Sequence, residues 1–108
     1  MGTPYVELRW WEGCPSTERA RAELREVLDG LGLADVEIRM SEIGDDDEAR
    51  AMRFPGSPTI LIDGRDVVTP SAGEPIGLTC RVYRRRDGGV SPTPDPADVR
   101  EAIQEVIK

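Results

Sequence analysis

Apolar and polar side chains alternate along Tyr5-Val6-Glu7-Leu8-Arg9-Trp10, so residues 5–11 read as a half-buried first strand. The period then changes. Leu24, Val27, Leu28 and Leu31 recur at i, i+3, i+4 and i+7, the stripe of an amphipathic helix over about 15–30. Pro15 suits its first turn, where a missing N–H costs nothing, and Gly30 and Gly32 stop it. Val36-Glu37-Ile38-Arg39-Met40 alternates again as a second strand. The acidic run 45–48, set before Ala49, Met52 and Phe54, reads as the capped first turn of a short helix, where negative charge is favourable. Pro55-Gly56-Ser57-Pro58 breaks the chain ahead of Thr59-Ile60-Leu61-Ile62, a continuous apolar run suited to a central strand that Asp63-Gly64 ends. Residues 65–78 carry little periodicity and read as a long loop, with room for a short strand at Val67-Val68. Alternation returns in Thr79-Cys80-Arg81-Val82-Tyr83, the last predicted strand. Asp95-Pro96 then opens a final helix with the stripe Val99, Ala102, Ile103 and Val106.

This order, strand-helix-strand-helix-strand-strand-helix, predicts a single α/β domain over residues 1–108. Aromatic residues make up only 5% of the chain, so its core must be mainly aliphatic. A formal net charge of −7 opposes binding to phosphate backbones and to anionic membranes, so neither nucleic acid nor membrane is an expected partner. The basic cluster Arg84-Arg85-Arg86 runs directly into Asp87-Gly88-Gly89, which favours a solvated turn flank over a phosphate site. No run approaches the roughly 18 apolar residues of a membrane span, and the N-terminus lacks a signal-peptide pattern. The expected location is the cytoplasm, where thiols are kept reduced. Histidine is absent, which removes Cys–His dyads and most zinc sites, and no metal site is expected.

Candidate chemistry centres on Gly13-Cys14-Pro15-Ser16-Thr17, where the first strand gives way to the first helix. Cys14 is expected at or beside the helix N-cap, with free N–H groups directed towards its sulfur. A helix N-terminus favours a thiolate, which is both the nucleophile and the metal-binding form of cysteine.

The element order, with Cys-Pro opening the first helix and Ser57-Pro58-Thr59 before the third strand, resembles the thioredoxin-like superfamily. The segments Gly-Cys-Pro, Gly-Ser-Pro-Thr-Ile-Leu-Ile-Asp-Gly-Arg-Asp and Cys-Arg-Val-Tyr resemble small bacterial members of it, some labelled alkylmercury-lyase-related. The resemblance implies a four-stranded mixed sheet flanked by helices, in the order βαβ-α-ββα. It further implies that Cys14 is catalytic, that Pro58 is cis, and that Ser57 offers its backbone to an extended thiol-bearing substrate. Where many superfamily members carry Cys-x-x-Cys, this chain has Thr17 in the fourth position. The site therefore resembles a monothiol glutaredoxin, with the Thr17 hydroxyl supporting the Cys14 thiolate. Trp11, Pro15, Ser57 and Pro58 would line the substrate groove, and Trp10 or Trp11 would wall the thiol. Glutathione is a possible co-substrate, no other cofactor is implied, and the partner would be glutathione or a thiol- or disulfide-bearing protein.

Cys80 is the remaining thiol. If 79–83 is the fourth strand, Cys80 starts it at the far end of the sheet, about 13 Å along and about 9.5 Å across from Cys14. A disulfide needs Cα atoms within about 7 Å. Its alternation with Leu78 and Val82 predicts a small buried hydrophobe. If residues 65–78 instead supply the pairing strand, the register changes and Cys80 approaches Cys14. Three functions fit these residues. The first is a monothiol thiol–disulfide oxidoreductase using an external resolving thiol. The second is a non-catalytic thioredoxin-like binding module, and the third a soft-metal thiol carrier.

Overall fold

The computed structural model describes residues 3–107. Their elements run β1 (Val6–Trp10), α1 (Thr17–Gly30), β2 (Ile38–Glu42), α2 (Asp46–Ala51), β3 (Thr59–Ile62), β4 (Arg65–Asp66), β5 (Tyr83–Arg84), β6 (Val90–Ser91) and α3 (Pro96–Ile107). β1 to β4 form a mixed four-stranded sheet in the order β2-β1-β3-β4. β1 pairs parallel with β2, from Val6↔Ile38 to Trp10↔Glu42, and antiparallel with β3, from Val6↔Ile62 to Arg9↔Thr59. The fold is thus α/β, with a mixed sheet and three helices among the described residues.

β3 is buried along its whole length, whereas β1 alternates, burying Val6 and Leu8 and leaving Glu7 and Arg9 partly exposed. Val6 and Leu8 of β1 and Ile60 and Ile62 of β3 pack with Leu24, Val27 and Leu28 of α1 and Val99 and Ile103 of α3. The helix stripe read from the sequence is therefore the buried face. α1 ends in a Schellman motif: Gly32, at φ 76°, donates to the Asp29 carbonyl, and Leu33 donates to Leu28 at 2.8 Å. The acidic run caps α2 as its composition predicts. Asp45 accepts from the Glu48 N–H at 2.8 Å, and the Glu48 carboxylate accepts from the Gly44 N–H at 2.6 Å. No helix among the described residues is long and apolar enough to cross a membrane.

The fourth strand is not 79–83. Asp63 and Gly64 both adopt positive φ, 51° and 82°, the left-handed pair that makes a two-residue hairpin turn. The chain therefore folds straight back from β3 into β4, pairing Ile62 with Arg65 and Leu61 with Asp66. With the β3 edge taken there, Tyr83–Arg84 pairs instead with Val90–Ser91 in a separate ribbon. The Asp87-Gly88-Gly89 turn joins that ribbon, and its arginines serve the fold. Arg85 donates to Ser91 and Thr93, while Arg86 is held by Asp98 and Glu101. β2 begins later than the alternation predicts, because Val36 closes a turn onto Leu33.

Candidate active site

Beyond β1 the chain turns through Trp11–Cys14, closed by the Cys14 N–H on the Trp11 carbonyl at 3.0 Å. Gly13 is required here, since a Cβ would fall 2.2 Å from Cη2 and Cζ3 of the Trp11 ring. Cys14 is a free thiol, 9% exposed. Ser16 is the N-cap of α1, and its carbonyl accepts the early helical bond from Ala20 at 3.0 Å. Cys14 therefore precedes the cap by two residues and Pro15 lies outside the helix, because hydrogen bonding begins later than the Cys-Pro junction suggests. Thr17 is buried in the first turn, yet its hydroxyl has no hydrogen-bond partner. The support that Thr17 was expected to give Cys14 is not made in this state of the protein.

The second half of the site is the turn before β3. The Ser57–Pro58 bond is cis. Ser57 does not present open backbone groups. Its N–H donates to the Thr79 carbonyl at 2.8 Å, and its carbonyl accepts from the Arg81 N–H at 2.9 Å. These bonds make an isolated parallel bridge between Ser57 and Cys80. The close approach depends on Gly56, at φ 123°, where a Cβ would meet Thr79 Oγ1 at 2.9 Å and the Arg81 nitrogen at 3.2 Å. The indole Nε1–H of Trp11 donates to the same Thr79 carbonyl at 3.0 Å. One acceptor thus ties the Cys14 turn, the Ser57–Pro58 turn and the segment carrying Cys80.

Two side chains fix that segment from below. The Arg81 side chain is 2% exposed and lies 2.7 Å from Asp66 Oδ2. It also donates to the Val68 carbonyl at 2.6 Å and to Thr59 Oγ1 at 3.2 Å. Its guanidinium sits 4.7 Å above the Tyr83 ring, and the Tyr83 hydroxyl donates to the Pro58 carbonyl at 2.5 Å. Burial raises the Asp66 carboxyl above its ordinary range, and the nearby Arg81 charge opposes this only in part. Burial likewise pushes the Tyr83 phenol well above its usual value. Arg81 and Tyr83 lie in the Cys-Arg-Val-Tyr segment, yet neither they nor Thr79 were expected to be site residues. A hairpin at Asp63-Gly64 is the local signal that takes 79–83 out of the main sheet, though it does not by itself mark these side chains.

Cys80 is therefore neither at the far end of the sheet nor a buried hydrophobe. It is exposed, and it is bridged to Ser57 at the end of the sheet where β1 meets β3 through Arg9↔Thr59. Over 80–83 the alternation is real but opposite in phase. Arg81 and Tyr83 are buried, and Val82 is 68% exposed. The two tryptophans also divide. Trp10 packs on the main core, whereas Trp11 packs beside Ile43, Ala49 and Phe54 and braces the Cys14 turn. Glu12 is an exposed turn residue. Ser57 Oγ, like Thr17 Oγ1, is buried without a hydrogen-bond partner. Among the described residues no group of three or more His, Cys, Asp or Glu is placed to hold a metal ion.

This arrangement offers a buried thiol in a tight turn and a second, exposed thiol on a segment bridged to the neighbouring turn. No family model matches the chain, and no curated protein or solved structure matches it.

Proposed function

We propose that the protein is a thiol–disulfide oxidoreductase with a thioredoxin-like fold, in which Cys14 attacks a disulfide or a glutathione mixed disulfide. The substrate S–S bond breaks, one half leaves as a thiol, and the other half is held on Cys14 until a second thiol releases it. The observation that carries this reading is the convergence of the Trp11–Cys14 turn and the Ser57–Pro58 turn on the Thr79 carbonyl. The strand order β2-β1-β3-β4, with β1 parallel to β2 and antiparallel to β3, supports the fold assignment. The setting that suits this chemistry is the cytoplasm, where both cysteines stay reduced between turnovers.

The test is reduction of a glutathionylated peptide by wild type and by Cys14→Ser, with glutathione as electron donor. The expected result is turnover by wild type and the uncatalysed rate with Cys14→Ser. Equal rates for the two proteins would overturn the assignment of Cys14, and an uncatalysed rate for wild type would overturn the activity.

A further inference from the structure

On the proposed function, an extended partner chain would bond to the backbone of Ser57. Here that position is filled from within. The Ser57 N–H and carbonyl are both bonded to residues of the 79–81 segment, and Cys80 is the residue bridged to Ser57. The occupation is built in, not incidental. Gly56 has no side chain to hold the segment off, Trp11 binds it from the Cys14 turn, and Arg81 anchors it in a buried site with Asp66, Val68 and Thr59. An incoming strand would have to break these bonds and leave the Asp66 carboxylate buried beside a displaced arginine, a heavy cost.

Within this framework, Cys80 takes on a role. Residues paired across neighbouring strands project side chains to the same face, so Cys80 lies on the Ser57 face of the bridge. The side chain of Ser57 is buried there with an unpartnered hydroxyl, whereas that of Cys80 is exposed. The residue before Cys80 is held by the indole of Trp11, whose own carbonyl closes the turn onto Cys14. We infer that Cys80 is the internal resolving thiol of Cys14, and that the substrate is a small disulfide and not an extended polypeptide strand. This inference rests on the proposed nucleophilic role of Cys14.

Cys14 thiolate attacks one sulfur of a disulfide R–S–S–R, one R–S⁻ leaves and takes a proton, and Cys14–S–S–R forms. Cys80 loses its proton and attacks the Cys14 sulfur. The second R–S⁻ leaves, and a Cys14–Cys80 disulfide forms. The substrate has gained two electrons and two protons, and the protein has lost them. Two equivalents of a low-molecular-weight thiol then restore both cysteines.

The experiment treats reduced wild type, Cys80→Ser, Cys80→Ala and Cys14→Ser with glutathione disulfide, followed by mass mapping after rapid acid quench. Cys80 is exposed and its bridge uses only main-chain atoms, so both Cys80 variants keep the contacts that hold the segment. Wild type is expected to accumulate the Cys14–Cys80 disulfide without bound glutathione. Both Cys80 variants are expected to stall with glutathione on Cys14. If wild type instead accumulates glutathione on Cys14 as the Cys80 variants do, the resolving role of Cys80 is overturned while Cys14 stands. If the Cys80 variants take up no glutathione, the nucleophilic role of Cys14 itself fails. Rapid capture of glutathione by Cys80 in wild type, ahead of Cys14, would reverse the proposed order and overturn it.

Discussion

Trp11 and Ser57, 46 positions apart in the chain, donate to one acceptor: the Thr79 carbonyl receives the indole N–H at 3.0 Å and the Ser57 N–H at 2.8 Å. A carbonyl has two lone pairs, so both bonds can be made at once. The consequence is mechanical. The turn that carries Cys14 and the segment that carries Cys80 are held by a shared atom, and moving either one strains the other.

Trp11→Phe keeps a ring over Gly13 but removes its N–H, and should lower stability by about 0.5–1.5 kcal/mol, the usual net worth of one hydrogen bond. Gly13→Ala should do more damage, since its Cβ would sit 2.2 Å from the ring. Overpacking of this kind commonly costs about 1–3 kcal/mol. Urea denaturation of both variants checks the order. A Gly13→Ala protein as stable as wild type would mean that the Trp11 ring is free to swing away.

Gly56→Ala forces a side chain into a backbone at φ 123° and towards Thr79 and Arg81. The 79–81 segment should lift from Ser57, exposing the amides of Ser57 and Arg81 to solvent. Native-state hydrogen exchange reads this directly. Both amides should lose protection relative to Val6 and Leu8 of β1, whereas unchanged protection would show that the segment tolerates the added methyl.

Arg81→Ala removes the buried partner of an ion pair whose other member, Asp66, is partly buried, and leaves that carboxylate without its counter-charge. Such losses run to about 3–5 kcal/mol. Arg81→Lys keeps the charge but not the planar fork that reaches Asp66, Val68 and Thr59 together, so it should recover only part of the stability. Chemical denaturation of the two variants separates charge from geometry. Full recovery by lysine would reduce the role of Arg81 to its charge.

The Asp66 carboxyl titrates above its ordinary value of 3.8, chiefly because it is buried. Between 3.8 and that raised value the folded protein binds more protons than the unfolded chain, so the Asp66 contribution is most favourable below 3.8 and declines as pH rises. Asp66→Asn cannot ionise and lacks this dependence. The stability of wild type relative to Asp66→Asn should therefore fall as pH rises from about 4 through the folded pKa. Denaturation midpoints across that range test the sign, and a relative stability that rises instead would show that Arg81 outweighs burial.

Most of the α/β framework was legible from local pattern. The period of Val6 and Leu8, the stripe of Leu24, Val27 and Leu28, and the unbroken run of β3 each report a face that must be dry. Caps were legible too, because Asp45 and Asp95 act on backbone groups only a few residues away. The candidate nucleophile, Cys14, and the Ser57–Pro58 turn were found for the same local reason. Arg81 was not. Its burial depends on Asp66, Val68 and Thr59, which reach it from other segments of the chain, and no spacing in the sequence announces that cluster.

The position of Cys80 shows where local pattern ends. In Thr79–Tyr83 the alternation of side chains is a property of extended chain, but which half faces inward is set by the strand it meets. Hydrophobicity favours Cys80 and Val82 as the inner pair. The fold buries Arg81 and Tyr83 instead, because the hairpin at Asp63-Gly64 brings Asp66 to receive the guanidinium and Pro58 offers its carbonyl to the phenol. The sequence by itself determined β1, β3, the three helices and the cap of α2, all set by neighbours within a few residues. Only the tertiary structure decided that Cys80 faces outward beside Ser57, since that outcome rests on hydrogen bonds and charge pairing between segments far apart in the chain.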